Sequence, residues 1–495
     1  MPDEILSLAR YLASSRAEFA LSEMNLYLSK KYEEKELYEI LKPHLYDLDL
    51  FCDSRYKCTK LVKSPLPADD SVIRELEKSF KKPQLPAHIE KLIESYIERS
   101  CGKNWHTGKT AQLIRENIVR QKEEYWKRKG DSQYPGIRII SYLLYHFPVY
   151  FCQFQYLLLE LLEKGLLTNK MSFLDVGSGP GTITLSTLDF LHKLLGIYSK
   201  KGIDVKLNIR FASIEQEQEN INCYKELTSL YLSGSAAENA NITINEPVHA
   251  PLETAQVPEE TDFIIFSNVL AEMSAAPRER ASVVERLASG SKNPTIIIIE
   301  PAELETSSAL RLTQHALTKK GFTIYSPCTF IWGIGCRGEN CWSFQELGDI
   351  AVPGFMERIA RTAESYRYIN TDMKFSSVIL RKDGMAKHAY RAKGKFVRLA
   401  NLEKHIEKRV NVVVSVMSGN LGDEKTYVFK VCDGTASDPC YAVLPAYHIS
   451  EGNKKLFEAG YGDIVEIYGT LVRENRALSS YNLLIMRNTL VKPAG

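Results

Sequence analysis

The sequence predicts an α/β protein in which a largely parallel sheet lies between a helical N-terminal region and a small C-terminal β-barrel. Three observations predict it. Strand and helix patterns alternate from Gly136 to Arg381, apolar residues recur at three- and four-residue spacing before about residue 130, and five short strand patterns follow Val410. The expected boundaries are a helical region over 1–130, the α/β domain over 131–382 with a cysteine-rich insert at 327–345, a basic connector over 383–409, and the barrel over 410–495.

In the N-terminal region the spacing predicts helices over 17–31, 89–98 and 110–129, interrupted at Ser64-Pro-Leu-Pro and Lys82-Pro-Gln-Leu-Pro, where proline stops a helix. The stretch from Arg120 to Lys129 is basic at its end, which suits either a solvated face complementing the helix dipole or a contact with RNA. A long apolar helix is expected over 139–162. Beyond it, strands are expected at 172–176, 209–214, 262–267, 295–299 and 376–381, with helices at 182–195, 217–231, 277–288 and 307–320. The basic segment after Arg381 carries Lys382, Lys387, Arg391, Lys393, Lys395, Arg398, Lys404, Lys408 and Arg409 with few acids. In the barrel, strands at 410–417, 426–431, 441–444, 463–472 and 481–489, with a short helix at 454–459 before the fourth, give the order of an OB barrel, a frequent nucleic-acid-binding module; another small barrel is the alternative.

Composition limits the function. A length of 495 residues allows two to four domains, and a net charge of +2 excludes a globally basic nucleic-acid binder, so any such contact must be local. No apolar run reaches the roughly 20 residues that span a bilayer, and the acidic start Met1-Pro-Asp-Glu resembles no signal peptide, so a cytoplasmic protein without membrane contact is expected. In that compartment the ten cysteines are expected as thiols rather than structural disulfides.

The chemistry concentrates at two places. The first strand ends at Asp175, and Gly177, Ser178, Gly179 and Gly181 follow as the chain opens a helix. The third glycine comes one place too early for the dinucleotide G-x-G-x-x-G pattern; the tighter turn suits a class I (Rossmann-like) methyltransferase, where backbone approaches the methionine part of S-adenosylmethionine. Glu215, at the end of the next strand, falls where ribose hydroxyls would lie, with Glu217 as the fallback. Ser267, Asn268, Glu272 and Glu300 are expected to line the same site, and none of them declares itself a catalytic base.

The second place is Cys328, Cys336 and Cys341, three thiols in a Gly-rich loop, which usually seek a fourth ligand for zinc or an iron–sulfur cluster. Here the chain resembles the methyltransferase-like family of small-ribosomal-subunit assembly factors, known from mitochondria and microbes. The resemblance runs over about residues 90–470, through Tyr142-Leu-Leu-Tyr-His-Phe-Pro-Val-Tyr150, Leu174 to Thr182, Val269-Leu-Ala-Glu272, Ile299-Glu300-Pro301, Pro327-Cys328, Cys341-Trp-Ser-Phe344 and Phe375 to Arg381. It implies a [4Fe–4S] site on Cys328, Cys336, Cys341 and Cys432, with Cys440 the rival fourth ligand and zinc the alternative metal. The loop departs from the family in its spacing around Cys336 and in lacking Pro-His after the first cysteine. The resemblance also implies a factor in ribosome biogenesis and translation that binds S-adenosylmethionine, the small subunit and its rRNA; the oligomeric state is not legible in the sequence, and a monomer is favoured. An active rRNA methyltransferase, or a protein or small-molecule methyltransferase, stands as the alternative.

Overall fold

The computed structural model describes residues 2–127, 135–234, 239–257, 260–333, 336, 338 and 341–494. The chain divides into two units. One comprises Met1–Gln256, Glu260–Ile264 and Asp349–Asp372; the other comprises Val257–Glu259, Ile265–Gly348 and Met373–Gly495.

In the first unit, helix Phe147–Glu163 is buried around nearly its whole circumference, through Phe147, Phe151, Phe154, Leu158 and Leu161, as a helix with apolar residues on every side must be. The single helix expected over 139–162 is in fact two, Pro135–Tyr145 and Phe147–Glu163, because Pro148 cannot donate an amide to the turn before it. Strand Lys170–Val176 pairs in parallel with Leu207–Glu215, which pairs in parallel with Ala240–Ile244. Helices Thr182–Lys201 and Gln218–Gly234 connect them.

The N-terminal segment corrects two expectations. Residues 17–31 hold the strand Glu18–Ala20 and the four-residue helix Leu21–Met24 rather than one long helix, because Glu18–Ala20 pairs with the distant strand Lys57–Lys60. That strand also pairs with Leu50–Cys52, which sets Cys52 opposite Cys58, and the two form a disulfide. Not every cysteine is therefore a free thiol. The basic end expected near Lys129 lies outside the described residues.

In the second unit, strand Asp372–Arg381 runs antiparallel to both Thr295–Pro301 and Thr323–Ser326, with Phe263–Ser267 on the far side of Thr295–Pro301. The glycine turn between parallel strands joined by helices makes the first unit Rossmann-like. The barrel follows. Its strands run in the order Arg409–Val416, Thr426–Cys432, Cys440–Pro445, Ser480–Leu484, Ile464–Asn475, and the last closes onto the first. Leu490–Ala494 adds a sixth strand, and the expected helix at 454–459 is a 3-10 turn, Lys454–Phe457. Alternating residues fill the barrel, among them Val412, Val414, Phe429, Val431, Cys440 and Ala442. A separate apolar cluster joins Ile331 and Trp332 of the cysteine loop to Val413 and Ile464 on the barrel's outer side. Among the described residues no helix is long and apolar enough to cross a membrane.

Candidate cofactor turn and cysteine cluster

In the first unit, the chain leaving Val176 turns through Gly177, Gly179 and Gly181, with φ of 66°, 52° and 93°. These are left-handed values that only glycine adopts without strain. At Gly181 a Cβ would come within 2.9 Å of the Tyr224 ring; at Gly179 a Cβ would meet nothing within 4 Å among the described residues. The Glu215 carboxylate ties the turn down, accepting the backbone N–H of Gly179 at 2.8 Å and those of Gln216 and Glu217 at 2.9 Å. Glu217, the fallback, is exposed and contributes only its amide. Ser178 Oγ is buried with no hydrogen-bond partner among the described residues. Asp175 sits beneath, accepting from Thr184 Oγ1 at 3.1 Å; burial pushes its carboxyl up to about 7, Thr184 opposes the shift, and Glu215 adds to it.

Sequence reasoning used Tyr142, His146 and Tyr150 only as a motif, yet they form an aromatic stripe at this turn. Their spacing of four and four was the available signal. His146 stacks on Tyr150 with ring centroids 5.5 Å apart and lies 5.7 Å from Tyr142. Tyr142 Oη is 3.3 Å from Oγ1 of Thr182, the first residue of the helix that Gly181 opens.

In the second unit, strand Phe263–Ser267 ends at Asn268, which takes a φ of 57° and donates its N–H to the Ile299 carbonyl at 2.8 Å. Its side-chain amide donates to Ser267 Oγ at 3.3 Å. The Glu300 carboxylate accepts the backbone N–H groups of Leu270 at 3.0 Å and Ala271 at 3.2 Å. Burial pushes Glu300 up to about 8, against the pull of those amides and of Arg280.

The same unit gathers the cysteine loop against the barrel. Cys328, Cys336 and Cys341 each raise the pKa of the Cys432 thiol, which burial has already pushed well up. Cys328 itself is pushed up to about 11 by burial, partly offset by Arg311. Cys440, one residue from the outward row, packs into the barrel core instead. The fully buried Arg311 guanidinium donates to Ser343 Oγ at 2.9 Å, the Ser377 carbonyl at 2.9 Å and the Tyr461 hydroxyl. Burial works against its charge, while Tyr461 and the three loop thiols favour it, and its pKa is raised. Trp332 Nε1 donates to Asp433 at 2.9 Å, and Lys430 reaches Cys341 Sγ at 3.9 Å. Among the described residues no group of three or more His, Cys, Asp or Glu is set to hold a metal ion.

Residues 137–332 match the family described as mitochondrial small ribosomal subunit Rsm22. Residues 2–55 and 400–494 match the N- and C-terminal domains of a domain family of unknown function (DUF8157). No curated protein matches the chain. Among solved structures, the N-methyltransferase NodS from Bradyrhizobium japonicum with S-adenosyl-L-homocysteine is similar at 11% identity, over 54% of this chain and 99% of that one, with a TM-score of 0.28. A SAM-dependent methyltransferase from Aquifex aeolicus is similar at 18% identity, over 31% and 73%, with a TM-score of 0.20. The p204 HINb domain is similar at 11% identity over 20% of this chain, with a TM-score of 0.17, and the similarity spans 47% of that domain's chain.

Proposed function

We propose that this chain is a small-ribosomal-subunit assembly factor of methyltransferase-like type that binds S-adenosylmethionine and rRNA and carries a [4Fe–4S] cluster. The observation that carries the reading is a coincidence of place: the ribosomal-family match over 137–332 covers the whole glycine turn and its Glu215 tether. The turn's features support the cofactor. Gly179 leaves room for a ligand to approach backbone, the buried Ser178 Oγ lacks a partner that a bound ligand would supply, and Glu215 can exchange amides for ribose hydroxyls. Bound there, the cofactor would supply an activated methyl group; Gly177, Ser178, Gly179, Gly181 and Glu215 would hold it.

The thiol set supports the cluster. Cys328, Cys336, Cys341 and Cys432 lie near enough to influence one another's titration and so offer four thiolates, and the buried Arg311 offsets the negative charge of such a group. The basic segment after Arg381 would meet phosphate, making rRNA affinity fall steeply with salt.

The test is anaerobic purification followed by a visible spectrum, iron and sulfide analysis, and binding to isolated small subunits. Iron and sulfide in near-equal amounts, lost in Cys432→Ser but kept in Cys440→Ser, together with salt-sensitive subunit binding, are expected. Zinc in a colourless protein would remove the cluster, and subunit binding no tighter than that of an unrelated protein would remove the assembly role.

A further inference from the structure

We infer that Arg391, Lys393, Lys395 and Arg398 form a phosphate-binding ridge, pinned to the outer wall of the barrel, that meets the sugar–phosphate backbone of the rRNA. The inference rests on the rRNA reading above. It names which cations of the basic segment make the contact and what holds them in place.

The sequence has no acid between Asp383 and Glu403. Residues 382–398 are all described and hold no helix or strand, yet they are not a loose tether. Their side chains alternate as in an extended chain. Tyr390, Ala392 and Phe396 pack on the apolar cluster of Val413 and Ile464, while Arg391, Lys393 and Lys395 are exposed. Gly394 falls at the inward place between Ala392 and Phe396 and has no side chain to bury. Polar bonds fix the same side: the Tyr390 hydroxyl donates to Glu466, and the Val397 N–H donates to the Asn411 carbonyl at 2.8 Å. Arg398 ends the row, exposed, with its guanidinium 4.9 Å from the centroid of the Trp332 ring.

The earlier cations of the segment are employed within the fold. Lys382 lies over the Phe322 ring, and Lys387 and His388 face Asp463 at 3.5 and 3.3 Å. The four later ones leave a surface row of a single sign, which favours a polyanion. Contacts to phosphate position a protein on its nucleic acid without reading sequence. The apolar anchors also order the row before it meets RNA, so binding does not have to order it.

Fluorescence anisotropy of labelled small-subunit rRNA with the full chain, repeated across a salt series, tests the ridge. The logarithm of affinity falls against that of salt by about 0.7–0.9 for each phosphate neutralised. Replacing the exposed Arg391, Lys393 and Lys395 together by glutamine should make that slope shallower by about two to three. It should weaken an unrelated RNA of the same length equally. Tyr390→Ser with Phe396→Ser keeps every cation but frees the row, and should weaken binding several-fold while leaving the slope near the parent protein's. An unchanged slope in the glutamine variant overturns the inference and leaves rRNA binding standing at another surface. Unchanged affinity in the freed variant overturns the pinned ridge, since a charged tether would then suffice. A loss seen with rRNA but not with the unrelated RNA would make the row a reader of bases and overturn the phosphate contact. Loss of binding to phosphatidylserine vesicles, with RNA binding intact, would assign the row to a lipid surface and overturn it too. Failure of the parent protein to bind rRNA sinks the rRNA reading, and this inference with it.

Discussion

Two strand ends in this molecule solve the same problem with different residues. After Val176 the chain turns on three left-handed glycines, and after Ser267 it turns on one left-handed asparagine. In each case a carboxylate at the end of another strand, Glu215 or Glu300, collects the backbone amides of the turn. The settings differ. Glu215 shares its three amides with an open side of the turn and the exposed residues Gln216 and Glu217, whereas Glu300 is fully buried and its pKa is displaced to about 8. The first turn borders exposed residues, although its bonds to Glu215, at 2.8–2.9 Å, are no longer than those at Glu300. The second is a sealed structural joint.

The largest expected effect is at Gly181. Alanine there adds left-handed strain of about 1–2 kcal/mol and overpacking against Tyr224 of about 1–3 kcal/mol, so Gly181→Ala should lose about 2–5 kcal/mol in denaturant unfolding. Gly179→Ala, with open space at its Cβ, should lose only the strain while still weakening S-adenosylmethionine binding.

Next come the tethers. Glu300→Ala orphans two buried amides at about 1–3 kcal/mol each, and Glu215→Ala should cost less because water can replace it at Gln216 and Glu217. Equal losses at the two positions would break the contrast drawn between the turns.

Glu300 also gives a pH signature. Its folded pKa of about 8 lies above the ordinary 4.5, so between those values the folded chain holds a proton that the unfolded chain releases. Its contribution to stability therefore falls as pH rises from 4.5 to 8. Glu300→Gln should flatten that part of the melting-temperature profile and gain on the parent protein towards pH 8. The smallest effect is at Asn268, where alanine should cost about 1 kcal/mol and glycine almost nothing.

The contrast also explains what could be read from sequence. Glycines at 177, 179 and 181 announce a turn because no other residue adopts those angles cheaply, and the strands and helices around them fall close to their expected places. Asn268 gives a weaker signal, since asparagine is common in many other settings. Local periodicity also failed where distant pairing decides. Nothing in residues 17–31 reveals that Glu18–Ala20 pairs across to Lys57–Lys60, nor that the hairpin sets Cys52 opposite Cys58. The four-residue spacing of Tyr142, His146 and Tyr150 is a signal shared with any buried helix face, and only the burial of their neighbours separates the three from core.

The packing of Ile331 and Trp332 against Val413 and Ile464 carries one more consequence. The ribosomal-family match ends at residue 332, and the C-terminal match begins at 400. Kinship by sequence thus draws its border through the middle of one apolar cluster. Removing the barrel would therefore bare Ile331 and Trp332 to water, and removing the loop would bare Val413 and Ile464.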